Sequence, residues 1–250
     1  MLPSDGQRAI FTEETMRNIM HLSAFILLCV ICGQQAQAQP EPYLGGAERC
    51  AGLSVDVSAG SQDERRLVCS AARHALQRLG RCGIALRRAL HVEILSEVRH
   101  PFSGPIFGLF DIVRERVLVT QEANISGLVE NTPYANLPER AFYLSLIGHE
   151  VVHGIMHQNL KRKATTHAAY EYPAYALQIE SLPSDVREAF LRSFDLAALK
   201  SNTMFNDSVL FFDPYYFAAR AYHHFTSAPD ACKYLAGLLA DEADFIAPPM

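Results

Sequence analysis

The sequence has no tryptophan, so its aromatic packing falls to 14 phenylalanines and 10 tyrosines. It also has no excess of positive charge: 22 Lys and Arg stand against 27 Asp and Glu, a net charge of −5. A mildly acidic chain offers no broad electrostatic surface to nucleic acid or an anionic membrane, and neither is expected as a partner. There is no internal repeat and no low-complexity tract, which excludes a repeat architecture. No pair of cysteines has the close C-x-x-C spacing of a structural zinc site, so a cysteine-ligated metal is not expected. The apolar run from Leu22 to Ile31 falls short of the ~20 residues needed to span a bilayer.

That run reads instead as the core of a secretory signal. Met16-Arg-Asn-Ile-Met-His precedes it with a positive charge, and Ala36-Gln37-Ala38 follows as a cleavage site. Cleavage after Ala38 would leave residues 39–250 as a single domain, secreted or periplasmic, with no stable membrane anchor. Residues 1–15 are largely polar and do not suit the start of a signal, which favours initiation at Met16. Lipidation of Cys29 or Cys32 fits less well, because Leu28 and Ile31 stand where a small residue is expected. The cysteines that remain are Cys50, Cys69, Cys82 and Cys232. An even number in an exported chain favours two disulfides, and sequence does not choose among the three connectivities. A bridge from Cys232 to the N-terminal part would staple the two ends of the domain.

Residues 39–60, rich in Gly, Pro and Ser, read as an irregular lead-in. Leu67, Ala71, Ala75 and Leu79, with Val68, Ala72 and Leu76 beside them, predict a helix over about 62–79. Leu90, Val92, Ile94 and Val98 alternate with polar residues as in one strand with a buried face. Phe107–Val113 and Arg116–Gln121 read as a hairpin joined at Arg114-Glu115. A polar loop over 123–137 leads to a helix that starts at Pro138, with Asn136 to cap it, and runs to about Gln158. Leu144, Ile147, Val151 and Ile155 form its core stripe. Gly148 and Gly154 weaken it by roughly 1 kcal/mol each relative to alanine, which close packing of another backbone would explain. Further helices are expected over 167–180, from Leu182-Pro183-Ser184-Asp185 to about Leu199, and through most of 208–245. Strands first and helices afterwards make an α+β domain.

The chemistry is concentrated in His149-Glu150-Val151-Val152-His153. On a helix, the i and i+4 histidines project from one face and can bind one ion, while Glu150 can reach a water on it. A catalytic zinc needs a third ligand and an open position. Met156 and Asn159 occupy the places where the metzincin form needs glycine and histidine, so that form is excluded. The best third ligand is Glu171 on the next helix, which an antiparallel return brings back to the level of the motif. His167 is its substitute. His157 is one turn too far and reads as a surface or pocket-edge residue.

A H-E-x-x-H helix, a short connection and a second helix bearing a glutamate followed by small residues resemble the glutamate-zincin (gluzincin) group of metallopeptidases. Gly108-Leu-Phe-Asp111 and Arg116-Val-Leu-Val-Thr120 resemble the hairpin that precedes the active helix in zincins, whose edge strand holds an extended peptide. The resemblance covers about residues 90–180, and the Asn-Glu-x-x-Ser-Asp form around the third ligand is missing. It implies a zincin-like fold, in which a small sheet packs on the active helix and a mostly helical C-terminal part follows. It also implies one zinc per chain on His149, His153 and Glu171, and a peptide or protein substrate. Glu150 is then the general base. Tyr175, or His223 or His224, would stabilise the oxyanion, and Asp or Asn groups would orient the two histidines. The aromatic residues of 211–225 read as core rather than as a substrate subsite. The competing expectations are a zincin-like domain that binds without cleaving, and a structural exported domain held by its disulfides.

Overall fold

The computed structural model describes residues 46–130, 132–161, 166–196 and 205–240. The signal sequence, the Ala38 cleavage point, Cys29 and Cys32 lie outside them, as do most of the basic loop after Lys161 and the last ten residues.

The first half of the chain builds a small mixed sheet. β1 (Glu48–Arg49), β2 (Val55–Ser58), β3 (Leu90–Leu95), β6 (Gly108–Asp111) and β7 (Arg116–Thr120) lie in the order β1-β2-β3-β7-β6. β2, β3 and β7 run parallel, while β1 and β6 pair antiparallel at the two edges. β2 falls within the stretch read as irregular: Val55 and Val57 are fully buried, but four residues between Gly- and Ser-rich flanks carry little signal. Between β2 and β3 runs α1 (Gln62–Gly80). A capping box starts it: the Ser61 hydroxyl accepts the Glu64 N–H, and the Glu64 carboxylate accepts the Ser61 N–H.

The stretch read as one strand is two. β4 (Val98–His100) leaves the sheet and pairs with β5 (Gly104–Ile106) as a separate hairpin. The reason is that the sheet is buried on both faces. Leu90, Val92 and Ile94 join the main core, while Leu95, Val98, Ile106, Leu109 and Leu118 form a second cluster. Thr120 ties the hairpin down, accepting the Val98 N–H at 2.9 Å and donating to the Ile106 carbonyl at 2.6 Å.

The second half is mostly helical: α2 (Ser126–Val129), α3 (Glu139–Asn159), α4 (His167–Ser181), α5 (Ser184–Leu191), α6 (Asp207–Phe212), α7 (Pro214–Ser227) and α8 (Ala231–Ala240). The architecture is therefore α+β. α3 is its centre, packed on β6 and β7 and flanked by α1 and α4; α7 backs α4. Every residue from His149 to Met156 is buried, as expected of a helix enclosed on all sides. Pro138 sits at the cap position rather than in the first turn, and Asn136 does not cap it, because Pro133–Asn136 form a 3₁₀ turn of their own. α5 ends at Leu191, short of the expected Leu199.

No backbone crowds the two helix glycines. A Cβ on Gly148 would meet nothing within 4 Å, and one on Gly154 would meet the Leu90 side chain. Disulfides join Cys50 to Cys69 and Cys82 to Cys232. The second closes a sequence separation of 150 residues, which in the chain-entropy account removes about 5 kcal/mol of unfolded-state freedom. Among the described residues no helix is long and apolar enough to cross a membrane.

Candidate metal centre

α3 presents His149 and His153 one turn apart, and the antiparallel return of α4 sets Glu171 against both. His149 Nε2 and His153 Nε2 are 3.1 Å apart. Glu171 Oε2 is 3.3 Å from the first and Oε1 is 3.5 Å from the second. Metal–ligand bonds of about 2.0–2.1 Å in a tetrahedron place ligand atoms about 3.3 Å apart. The two imidazole nitrogens, and the Glu171 oxygen nearest to each, stand close to that spacing. All three residues are buried, and they are a group able to hold a metal ion. The donor set of two imidazoles and a carboxylate suits zinc among the common ions.

The electrostatics follow from burial. Burial alone would raise the Glu171 carboxyl, but His153 and His149 beside it overcome that and hold it below the usual carboxylate range. Glu150 has no such compensation. Burial pushes its carboxyl up to about 7, and Glu171 adds to the effect against the opposing pull of His149. Glu150 makes no hydrogen bond with a described residue, and it lines a cavity of about 350 Å³ together with His149, His153 and Glu171. β6, the edge strand, runs along the same cavity. A Cβ on Gly108 would stand 2.8 Å from the Leu118 carbonyl oxygen, 3.1 Å from Glu150 Cγ and 3.3 Å from Glu150 Oε1. The missing side chain at Gly108 is what lets Glu150 lie against the strand.

Tyr175 also lines the cavity. Its ring meets His149 edge-on at 4.6 Å, and its hydroxyl makes no hydrogen bond with a described residue. Burial and then the Glu171 carboxylate raise its pKa well above that of a free phenol, so it stays a donor. Tyr170, which sequence did not single out, stacks on His153 with centroids 4.5 Å apart and donates to the His153 carbonyl. The expected Asp or Asn partners are not found: Nδ1 of His149 and of His153 has no hydrogen-bond partner among the described residues. The rings are held by tyrosine faces and edges instead.

His223 and His224 are not in the site. His223 is exposed, and His224 bonds Tyr172 at 2.6 Å and packs against Phe205 and Tyr234. α7 turns that face away from the cavity and presents Tyr215 to it. His167 faces Asp207 at 3.3 Å, and His157 packs on Phe110, so neither joins the ligand group. Tyr215 and Tyr134 line the cavity, so the aromatic segment read as core contributes one wall residue.

The model of a family of unknown function, DUF6639, matches residues 55–248. The chain belongs to the DUF6639 family. No curated protein and no solved structure matches it. The DUF6639 match takes in the sheet from β2 onward and all of His149, Glu150, His153 and Glu171.

Proposed function

We propose that this protein is an exported zinc-dependent hydrolase of the zincin type, a metallopeptidase acting on peptides or proteins. The observation that carries the reading is the spacing of the ligand groups, 3.1 Å between the two histidine Nε2 atoms and 3.3 and 3.5 Å from these to the two Glu171 oxygens, beside a buried carboxylate that bonds no described residue. His149 and His153 would hold the ion through Nε2, and Glu171 through its carboxylate. When bound, zinc supplies a Lewis acid that polarises a carbonyl and acidifies water.

The chain's own residues do the rest. Glu150 takes a proton on its carboxylate and passes it to the leaving amine. Tyr175 donates its hydroxyl proton in a hydrogen bond to the oxygen that gains charge. β6 offers its outer edge to an extended peptide, which adds as a further strand beside Glu150. Tyr170 keeps the His153 ring in place. The zincin-like character rests on the β6–β7 hairpin before the active helix and on the helix return that carries Glu171. Export is supported by the two disulfides, which persist in oxidising compartments.

Glu150→Gln tests the reading on the zinc-loaded protein with a peptide library. Hydrolysis should be lost while zinc stays bound; full activity in the variant contradicts the role of Glu150. A wild-type protein that holds zinc and cuts nothing is instead a binding domain.

A further inference from the structure

α4 turns one face to the cavity. Glu171, Tyr175 and Gln178 fall at i, i+4 and i+7, and all three line it. The first two already have work to do. Gln178 is 3% exposed, and its side chain makes no hydrogen bond with a described residue. Its amide is not sealed from solvent, while its neighbours Ala174, Leu177 and Ile179 make this stretch of helix otherwise apolar, so the amide looks onto the cavity. A group brought in from outside completes it. Its Nε2 donates and its Oε1 accepts, which complements a peptide group. At a rise of 1.5 Å per residue, Gln178 stands about 10 Å along the helix from Glu171. That is about three residues of extended chain.

Aromatic rings form another part of the cavity wall. Phe107 meets Phe142 at 5.5 Å, Phe142 meets Tyr134 at 4.7 Å, and Tyr134 meets Tyr215 at 5.1 Å. They come from four separate stretches of chain, and all line the cavity. The wall begins beside the reacting centre. Phe107 precedes Gly108, which touches Glu150, and Phe142 lies two turns before His149 on α3. The acidic residues on the cavity are Glu130, Glu150 and Glu171, with no Lys or Arg among its described lining residues, so an acidic side chain meets carboxylates there.

We infer that the substrate is an oligopeptide with a bulky apolar side chain next to the bond that is cut, seated on the Phe107–Phe142–Tyr134–Tyr215 wall, with its main chain held by Gln178. The inference rests on the peptidase reading and adds the substrate class and a binding residue to it.

The test uses zinc-loaded Glu150→Gln protein, its metal content checked by mass spectrometry. The probes are fluorescein-labelled alanine hexapeptides carrying a single Phe, Leu or Glu at each position in turn, with binding read by fluorescence polarisation. Phe or Leu at one position should bind about tenfold more tightly than alanine, and Glu there more weakly. Adding Tyr215→Ala, on the half-buried end of the wall, should remove that preference. Adding Gln178→Leu should weaken every peptide about tenfold, with zinc content unchanged and Tm no lower. Equal binding of the Phe, Ala and Glu peptides overturns the wall, and unchanged affinity in Gln178→Leu overturns the amide contact. Wild-type enzyme that cuts the peptides whatever residue they carry would sink this inference and leave the peptidase reading standing. Zinc-loaded wild type that cuts none of them removes both.

Discussion

Gly148 and Gly154 lie on the same helix, on either side of the metal centre, and alanine at the two should act in opposite directions. In a helix interior alanine is favoured over glycine by about 1 kcal/mol. At Gly148 the new methyl meets nothing within 4 Å and enters a cavity of about 110 Å³ lined by Ala71, Ala75, Val152 and Leu177. Burying it adds up to about 0.8 kcal/mol, so Gly148→Ala should stabilise by about 1–2 kcal/mol. At Gly154 the methyl would stand 2.8 and 3.0 Å from the Leu90 methyls and 3.4 Å from Phe110 Cε2. Leu90, on β3, is fully buried in the main core, so its tip has little room to give way. Overpacking of this kind costs about 1–3 kcal/mol, which outweighs the helix preference and leaves Gly154→Ala about 1 kcal/mol less stable. Urea or thermal unfolding of the metal-free, disulfide-intact protein measures both. At about 2–4 °C per kcal/mol, the two Tm values should separate by roughly 4–12 °C, on opposite sides of the wild type. Equal shifts of one sign in both variants would refute the contact argument.

Other outcomes follow from single contacts. Gly108→Ala sets a methyl 2.8 Å from the Leu118 carbonyl oxygen and 3.1 Å from Glu150 Cγ. It should strain the β6–β7 pairing, displace Glu150 and lower peptide hydrolysis at least about tenfold, with zinc stoichiometry unchanged. Hydrogen bonds from His91 and Arg116 hold the Glu93 carboxyl below its ordinary value. A depressed folded-state pKa gives stability that is complete above the unfolded value of about 4.3 and is lost as pH falls through the folded value. Glu93→Gln should therefore be less stable than wild type at neutral pH, and the two should converge in strong acid when unfolding is followed by circular dichroism.

How far the sequence carried depends on how local each determinant is. His149, Glu150 and His153 are legible because five residues of one helix hold the whole pattern. Glu171 is legible one step further out, since a second helix and a short connection return it to the first. β2 was not, because its pairing with β3 is decided across the whole of α1. Val98 misled for a related reason: alternation reads one buried face, and this sheet has two. Asn136 was a sound capping residue in the wrong place, consumed by a 3₁₀ turn that no periodicity reveals. Tyr170 sits next to Glu171 in sequence, yet its stacking on His153 depends on the crossing of α3 and α4. Gly108, Tyr134 and Tyr215 reach the cavity only once the chain is folded. His223 had the right chemistry on the wrong side of α7.

The central claim is that His149, His153 and Glu171 hold one metal ion, and Glu171→Gln tests it without disturbing the motif helix. Mass spectrometry of the purified protein after incubation with zinc should find about one zinc per chain in the wild type and a loss of it in the variant. No zinc in the wild type, or the same zinc in both proteins, would contradict the account.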